Sequence, residues 1–286
     1  MGKQTKQSGS HFGGEWTKEK LIIIDDYLKF YVRALSRQKT KLVYIDAFAG
    51  SGKTCLSDGS EVDGSAIISL SYDFDEYYFI EIDKARVSSL KNTIQERFPH
   101  KLSKIHIIHD NCNESLKSIF SRLSVYQRGV MFLDPYALEL DWSVLEQANK
   151  TKILDIWYLF PLNALTRNLP KKKTLSQNTK QKLNIILGTT EWESKLYHEN
   201  PQISMFDDIE YERVDFDELV SFVKNRLSDT FAYVSPKSRI LKNSKNSALF
   251  ILFFMMTNNS PRAISLGSKV VDDIFSKIDK MTKSKR

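Results

Sequence analysis

The chain has 286 residues, 41% of them hydrophobic, enough for one large domain or a domain with an appendage. Lys and Arg number 42 against 35 Asp and Glu, a formal net charge of +7, and no apolar run reaches the roughly 20 residues that a membrane span needs. Two cysteines, Cys55 and Cys112, have no metal-binding or redox spacing, so the composition points to a soluble, cytoplasmic protein without a metal site.

Residues 1–15 are polar, with no apolar signal core, and are expected to form a disordered leader. Residues 16–186 carry the main pattern, and 187–286 read as a C-terminal α+β segment. The recurrence of Leu21, Ile24, Leu28, Tyr31 and Leu35 predicts a helix from Trp16 to Leu35, with Thr17 able to cap it. Lys41 to Asp46 is a short apolar run ending in an acid, the signature of a buried strand. Glu76–Glu81, Lys104–His109, Gly129–Asp134 and Ile153–Phe160 read as further strands. Helices are predicted over Lys84–Phe98, over Glu114–Leu123 and from Asp141, as the cap, through Gln147.

This alternation at βαβ spacing predicts an α/β fold: a doubly wound, mostly parallel sheet with helices on both faces. Beyond Phe160 the alternation breaks. Asp217–Leu227 and Ala263–Ile278 look helical. Tyr233–Leu241 and Ala248–Met256 look like two strands that either complete the sheet with an antiparallel edge or form part of a small winged-helix-like unit.

Right-handed crossovers put the C-terminal ends of parallel strands on one rim. Asp46, Glu81 and Asp134 terminate strands, and Asp110 follows one directly. Gathering four carboxylates costs free energy unless donors satisfy them, and a ligand rich in hydroxyl and amino groups would do so.

The turn Tyr44–Thr54, "YIDAFAGSGKT", admits two ligands. Its Gly-Lys-Thr ending resembles a triphosphate-binding loop, although Ala47 stands where that pattern needs its first glycine. Asp134, at the end of an apolar strand, could supply the magnesium-holding acid, so the local pattern leaves a P-loop nucleotide triphosphatase open. Two features count against it. Asp46 would lie near the phosphates' negative charge, and Glu81 and Asp110 would have no role. An S-adenosylmethionine reading uses all of them. Gly50 and Gly52 permit close backbone approach, Asp46 accepts from the ammonium, Glu81 from the ribose hydroxyls and Asp110 from the adenine amine. The candidate cofactor set is Asp46, Phe48, Gly50, Gly52, Glu81, Asp110 and Asn111.

Asp134-Pro135-Tyr136 offers acceptor-side chemistry. A carboxylate and a carbonyl can accept the two hydrogens of an exocyclic amine, and an aromatic ring can hold a flat substrate. The stretch from Ile156 to Thr190 has no acidic residue and carries Arg167, Lys171, Lys172, Lys173, Lys180 and Lys182. An acidic patch follows around Asp207, Asp208, Glu210 and Glu212, and the tail through Lys285 and Arg286 is basic again. Clustered Lys and Arg suit a nucleic acid, RNA or DNA. Arg167, Lys171, Lys172 and Lys173 are the candidate contacts.

Taken together, "WTKEKLIIIDDYLKFY" at Trp16, "YIDAFAGSGKT" at Tyr44, "EYYFIEID" at Glu76, "HDNCNESL" at His109, "FLDPYALELDWSVLE" at Phe132, "DIWYLFPLNALTRNLP" at Asp155 and "GTTEWES" at Gly188 resemble the three-Cys-motif partner family, a bacterial group of methyltransferase-like proteins. The resemblance spans residues 16 to 275. It implies a Rossmann-like methyltransferase fold that binds S-adenosylmethionine, and a partner with a three-cysteine motif encoded nearby, which the chain would serve either as an enzyme or as a non-catalytic scaffold. Proteins of this type are also associated with a C-terminal winged-helix-like unit. The opening is similar too to ribosomal RNA adenine-N6 methyltransferases with D-x-x-A-G-x-G and D-P-P-Y motifs. This chain has Asp134-Pro135-Tyr136-Ala137, one proline short, so the resemblance does not fix adenine N6 as the acceptor.

Overall fold

The computed structural model describes residues 14–56, 58–199 and 211–283. The leader up to residue 13, the acids Asp207, Asp208 and Glu210, and the tail residues Lys285 and Arg286 lie outside the described residues.

In chain order the elements are α1 (Glu15–Leu35), β1 (Lys41–Asp46), β2 (Lys53–Cys55), β3 (Glu61–Asp63), α2 (Ser65–Ser69), β4 (Glu76–Glu81), α3 (Lys84–Arg97), β5 (Ile105–His109), α4 (Cys112–Phe120), β6 (Gln127–Leu133), α5 (Trp142–Thr151) and β7 (Leu154–Phe160). Then come α6 (Leu162–Asn168), α7 (Gln177–Leu187), α8 (Trp192–Lys195), β8 (Tyr197–Glu199), β9 (Tyr211–Arg213), α9 (Phe216–Thr230), β10 (Tyr233–Val234), β11 (Arg239–Lys242), β12 (Ala248–Met256) and α10 (Pro261–Lys283).

One eight-stranded sheet runs β10-β12-β7-β6-β1-β4-β5, with β11 also on β12. β5, β4, β1, β6 and β7 are mutually parallel, and β12 joins β7 antiparallel. The doubly wound, mostly parallel sheet read from the sequence is the one observed, and the C-terminal hairpin adds its antiparallel edge.

Strand period explains the two cores. Tyr44, Phe79, Phe132 and Trp157 face α1, α2, α3 and α10, meeting Tyr27, Ile67, Leu90 and Phe275. Ile45, Ile80, Met131 and Tyr158 face the other way, onto Leu116, Leu145, Leu183 and Leu219 of α4, α5, α7 and α9. Both faces of β1, β4, β6 and β7 are covered, so they read as near-continuous apolar runs, while the edge strand β5 exposes His106 and His109.

Several local expectations change. Gly14, not Thr17, occupies the N-cap of α1, without a side-chain bond. Thr17 lies inside the first turn, buried, with its hydroxyl unpaired. Asp141 does sit at the N-cap of α5, but its side chain makes no cap bond; its N–H instead donates to Asn113 Oδ1 at 3.0 Å. The single strand expected over Tyr233–Leu241 is two, β10 and β11, because Pro236 between them cannot donate to a ladder. The acid-free basic stretch contains two helices, α6 and α7.

Candidate functional site

The chain leaves β1 toward β4 and β5 on one side, then returns to lay β6 and β7 on the other. The crevice outside the C-terminal ends of β1 and β6 is therefore a topological switch point, where doubly wound sheets bind ligands. Register places Asp46 opposite Phe132 of β6, and Glu81 opposite His109 of β5. Asp134, Asp46, Glu81 and Asp110 thus follow one another along the rim.

Asp46 is fully buried. Its carboxylate accepts from Ser65 Oγ at 2.6 Å and from the Phe48 N–H at 3.2 Å, tying the glycine turn to the start of α2. Burial pushes its carboxyl up to about 7; the Ser65 and Phe48 bonds oppose this, Asp134 adds to it, and Lys20 opposes it. Asp46 therefore organises the loop from inside.

Glu81 is also buried and spans the same loop. Its Oε2 accepts from the Gly50 N–H at 3.0 Å and its Oε1 from the Asp83 N–H at 2.8 Å. A carboxylate offers about four lone-pair sites, and with Arg86 no closer than 4.0 Å to Oε2 these two bonds leave acceptor capacity for a ligand. Gly50 has φ +64°, and nothing lies within 4 Å of the position a Cβ would take, which leaves open space beside Glu81. Gly52 has φ +81°, and a Cβ there would stand 2.9 Å from Leu90 and 3.0 Å from Ile67. Only glycine meets both demands there.

Lys53 and Thr54 do not open a helix. They lie on β2 in a β2–β3 hairpin, where Lys53 pairs with Glu61 at 3.2 Å, and the next helix starts at Ser65. A phosphate loop needs a helix N-terminus directly behind Gly-Lys-Thr, so the triphosphatase reading loses its structural basis.

Asp110 is exposed, its carboxylate receiving the Asn111 N–H at 2.7 Å, and Asn111 caps α4 by accepting from Asn113 N–H at 2.8 Å. Directly after Glu81 stands Ile82, 68% exposed, an apolar surface that sequence reading passed over. An isoleucine directly after a strand-ending acid was the available signal. Phe48 is half-buried against the core beneath the loop.

On the other side of the switch point, Asp134 is part-buried, Pro135 buried and Tyr136 62% exposed. Asp134 Oδ2 accepts from Lys20 Nζ of α1. Lys20 is itself buried, with its ammonium 5.4 Å from the centre of the Trp16 ring. Nothing local in the sequence marks Lys20.

Cys112 is buried in the first turn of α4, and burial pushes its thiol up to about 12, unlike a nucleophile. Among the described residues no cluster of three or more His, Cys, Asp or Glu could hold a metal, and no helix is long and apolar enough to cross a membrane.

Of the basic candidates, Arg167 lies exposed on α6 and Lys171 and Lys172 are exposed beyond it. Lys171 O accepts from the Arg213 N–H at 2.8 Å, and Lys172 bridges to Glu212, so this segment lies against β9. Lys173 is different. Its ammonium pairs with Glu193 at 3.4 Å and lies 4.7 Å from the Tyr211 ring centre.

No protein-family model matches the chain, and no curated protein does. Solved structures do. A Legionella pneumophila protein, described by the family model DUF519, is similar over 91% of this chain and 91% of its own, at 12% identity and a TM-score of 0.52. An S-adenosylmethionine-dependent methyltransferase from Agrobacterium tumefaciens covers 85% of this chain at 10% identity and a TM-score of 0.44. A spermidine synthase from Thermotoga maritima covers 86% at 11% identity and a TM-score of 0.42. This chain spans 62% and 61% of those last two proteins. At such identities the likeness is one of fold. The fold is a mixed α/β, Rossmann-like one with a mainly parallel central sheet.

Proposed function

We propose that the chain is an S-adenosylmethionine-dependent methyltransferase of the three-Cys-motif partner type. The observation that carries this reading is the buried Glu81 carboxylate, which pins Gly50 beside open space at the switch point and keeps lone pairs for a ligand. The donor set fits the cofactor. Glu81 takes the ribose hydroxyls, and Asp110 and Asn111 the adenine edge. Gly50, Gly52 and Phe48 flank the methionine portion, and Asp46 holds the loop that receives it.

When bound, the cofactor supplies a methyl group on a sulfonium, electrophilic without further activation. The residues at the end of β6 then prepare the acceptor. Asp134 and the Pro135 carbonyl accept hydrogens from an exocyclic amine, drawing its lone pair out of conjugation, while Tyr136 holds the flat ring. The acceptor we infer is a base in RNA or DNA, with Arg167, Lys171 and Lys172 on the nucleic-acid side, while Lys173 is held by Glu193. A single-stranded target avoids the few kcal/mol of extracting a paired base. The resemblance to the three-Cys-motif partner family supports a protein with that motif as partner.

Calorimetry with S-adenosylhomocysteine tests the cofactor site. Binding by the wild type that Glu81→Ala abolishes is expected. Magnesium-dependent ATP binding, with none by S-adenosylhomocysteine, would overturn the reading.

A further inference from the structure

We infer that Lys20, delivered by the N-terminal helix α1, is a positioning residue for the acceptor-side carboxylate Asp134. This rests on the methyltransferase reading above. Three observations converge on it. Lys20 is buried at 8% exposure, an environment that a lysine tolerates only with a partner. Its ammonium donates to, and forms an ion pair with, Asp134, 114 positions away. Its ammonium is confined from the side by Trp16, whose ring stacks 5.0 Å from Phe250 of β12. The start of α1 also lies near the β2–β3 turn, with Lys18 3.8 Å from Asp58.

The consequence concerns which oxygen is free. Lys20 engages Oδ2, which leaves Oδ1 for the acceptor amine and fixes the carboxylate's rotation. The cation also offsets the repulsion between two neighbouring acids, since Asp134 raises the Asp46 carboxyl and Lys20 lowers it. An amine entering the pocket thus meets a carboxylate that is already half satisfied and oriented. A carboxylate without Lys20 would instead capture any cation placed there.

That difference can be read without knowing the acceptor. Sinefungin is an analogue of adenosylmethionine with an amine-bearing carbon in place of the methyl-bearing sulfonium, so its ammonium probes the space in front of Asp134. The measurement is the ratio of dissociation constants for S-adenosylhomocysteine and sinefungin, by calorimetry, in wild type, Lys20→Met, Lys20→Arg and Lys20→Met/Asp134→Asn. With Lys20 removed, the preference for sinefungin should rise about tenfold, the scale of one charge-assisted hydrogen bond. Arg should restore the wild-type ratio, and the double variant should lose the gain. A purely structural lysine would weaken both ligands equally, so an unchanged ratio with intact S-adenosylhomocysteine binding overturns the role of Lys20 alone. Wild type that binds neither ligand overturns the methyltransferase reading, and this inference with it.

Discussion

On the β1–β4–β5 side of the rim the carboxylates are held by nearby chain: Asp46 by Ser65, 19 positions on, and Glu81 by Gly50, 31 positions back. On the β6–β7 side the holding groups come from afar. Lys20 reaches Asp134 across 114 positions, and away from the rim, near the start of β7, Tyr27 reaches Asp155 across 128, with its hydroxyl donating at 2.7 Å. The first half is a βαβ unit that organises its own loop. The second half acquires its polar partners only when α1 docks on the finished sheet. A cofactor pocket built locally and an acceptor pocket completed by a distant helix can respond differently to the same kind of damage.

The largest effect is expected at Gly52. Replacement by Val forces an L residue to φ +81° and drives its side chain against Leu90 and Ile67. The cost should be about 2–4 kcal/mol, combining backbone strain with overpacking. Urea unfolding measures it. A variant as stable as wild type would mean that the loop relaxes elsewhere, and that the local half is less rigid than its hydrogen bonds indicate.

Glu81→Gln tests the ligand face of the same half with less structural damage. Its amide cannot accept from both Gly50 and Asp83. S-adenosylhomocysteine affinity should fall about 10–100-fold, from hydrogen bonds to a charged acceptor worth roughly 1.5–3 kcal/mol. Equal affinity for wild type and variant would detach Glu81 from the cofactor.

Much of this contrast was legible in the sequence, and the reason is the same locality. Asp46 and Glu81 end apolar runs, and the glycines follow within six residues, so a linear reading finds them. β1, β4 and β12 match their expected bounds. The β2–β3 hairpin escaped because Lys53–Cys55 and Glu61–Asp63 are three-residue polar strands without apolar alternation. Asp155 lies inside an apolar strand run, and Lys20 lies in a helix segment with no local signal of its own. Their importance comes from partners more than a hundred positions away, which no periodicity reveals.

Asp155 sharpens the comparison from the distant half. Burial raises its carboxyl from the usual carboxylate value to about 7, against the opposing pull of Tyr27 and Arg128. Between roughly pH 3.9 and 7 the folded chain keeps a proton that the unfolded chain has released. Wild-type stability therefore falls as pH rises through that window and levels off above it. Asp155→Asn keeps an acceptor for the Tyr27 hydroxyl and removes the titration. It should match wild type near pH 4 and exceed it by about 1–3 kcal/mol at pH 8. Asp46 titrates with the same sign in both proteins, so it cancels from the difference. A gap between variant and wild type that stays constant with pH would show that Asp155 is ionised in the folded chain.

The smallest effect separates the lysines beyond β7. Lys173 is committed to Glu193 and two tyrosine rings, whereas Arg167 and Lys171 are exposed. If the acceptor is a nucleic acid, each phosphate contact contributes about 0.7–0.9 to the slope of log affinity against log salt. Arg167→Ala with Lys171→Ala should then flatten the slope by about 1.4–1.8 for an unstructured RNA oligonucleotide, with little change in melting temperature. Lys173→Ala should do the reverse, leaving the slope nearly unchanged and lowering the melting temperature, because it strips Glu193 of one of two lysines. Fluorescence anisotropy across a salt series distinguishes the two. If neither variant changes a slope that is already flat in the wild type, the basic stretch is a solvated face, and the acceptor must be sought among uncharged or small molecules.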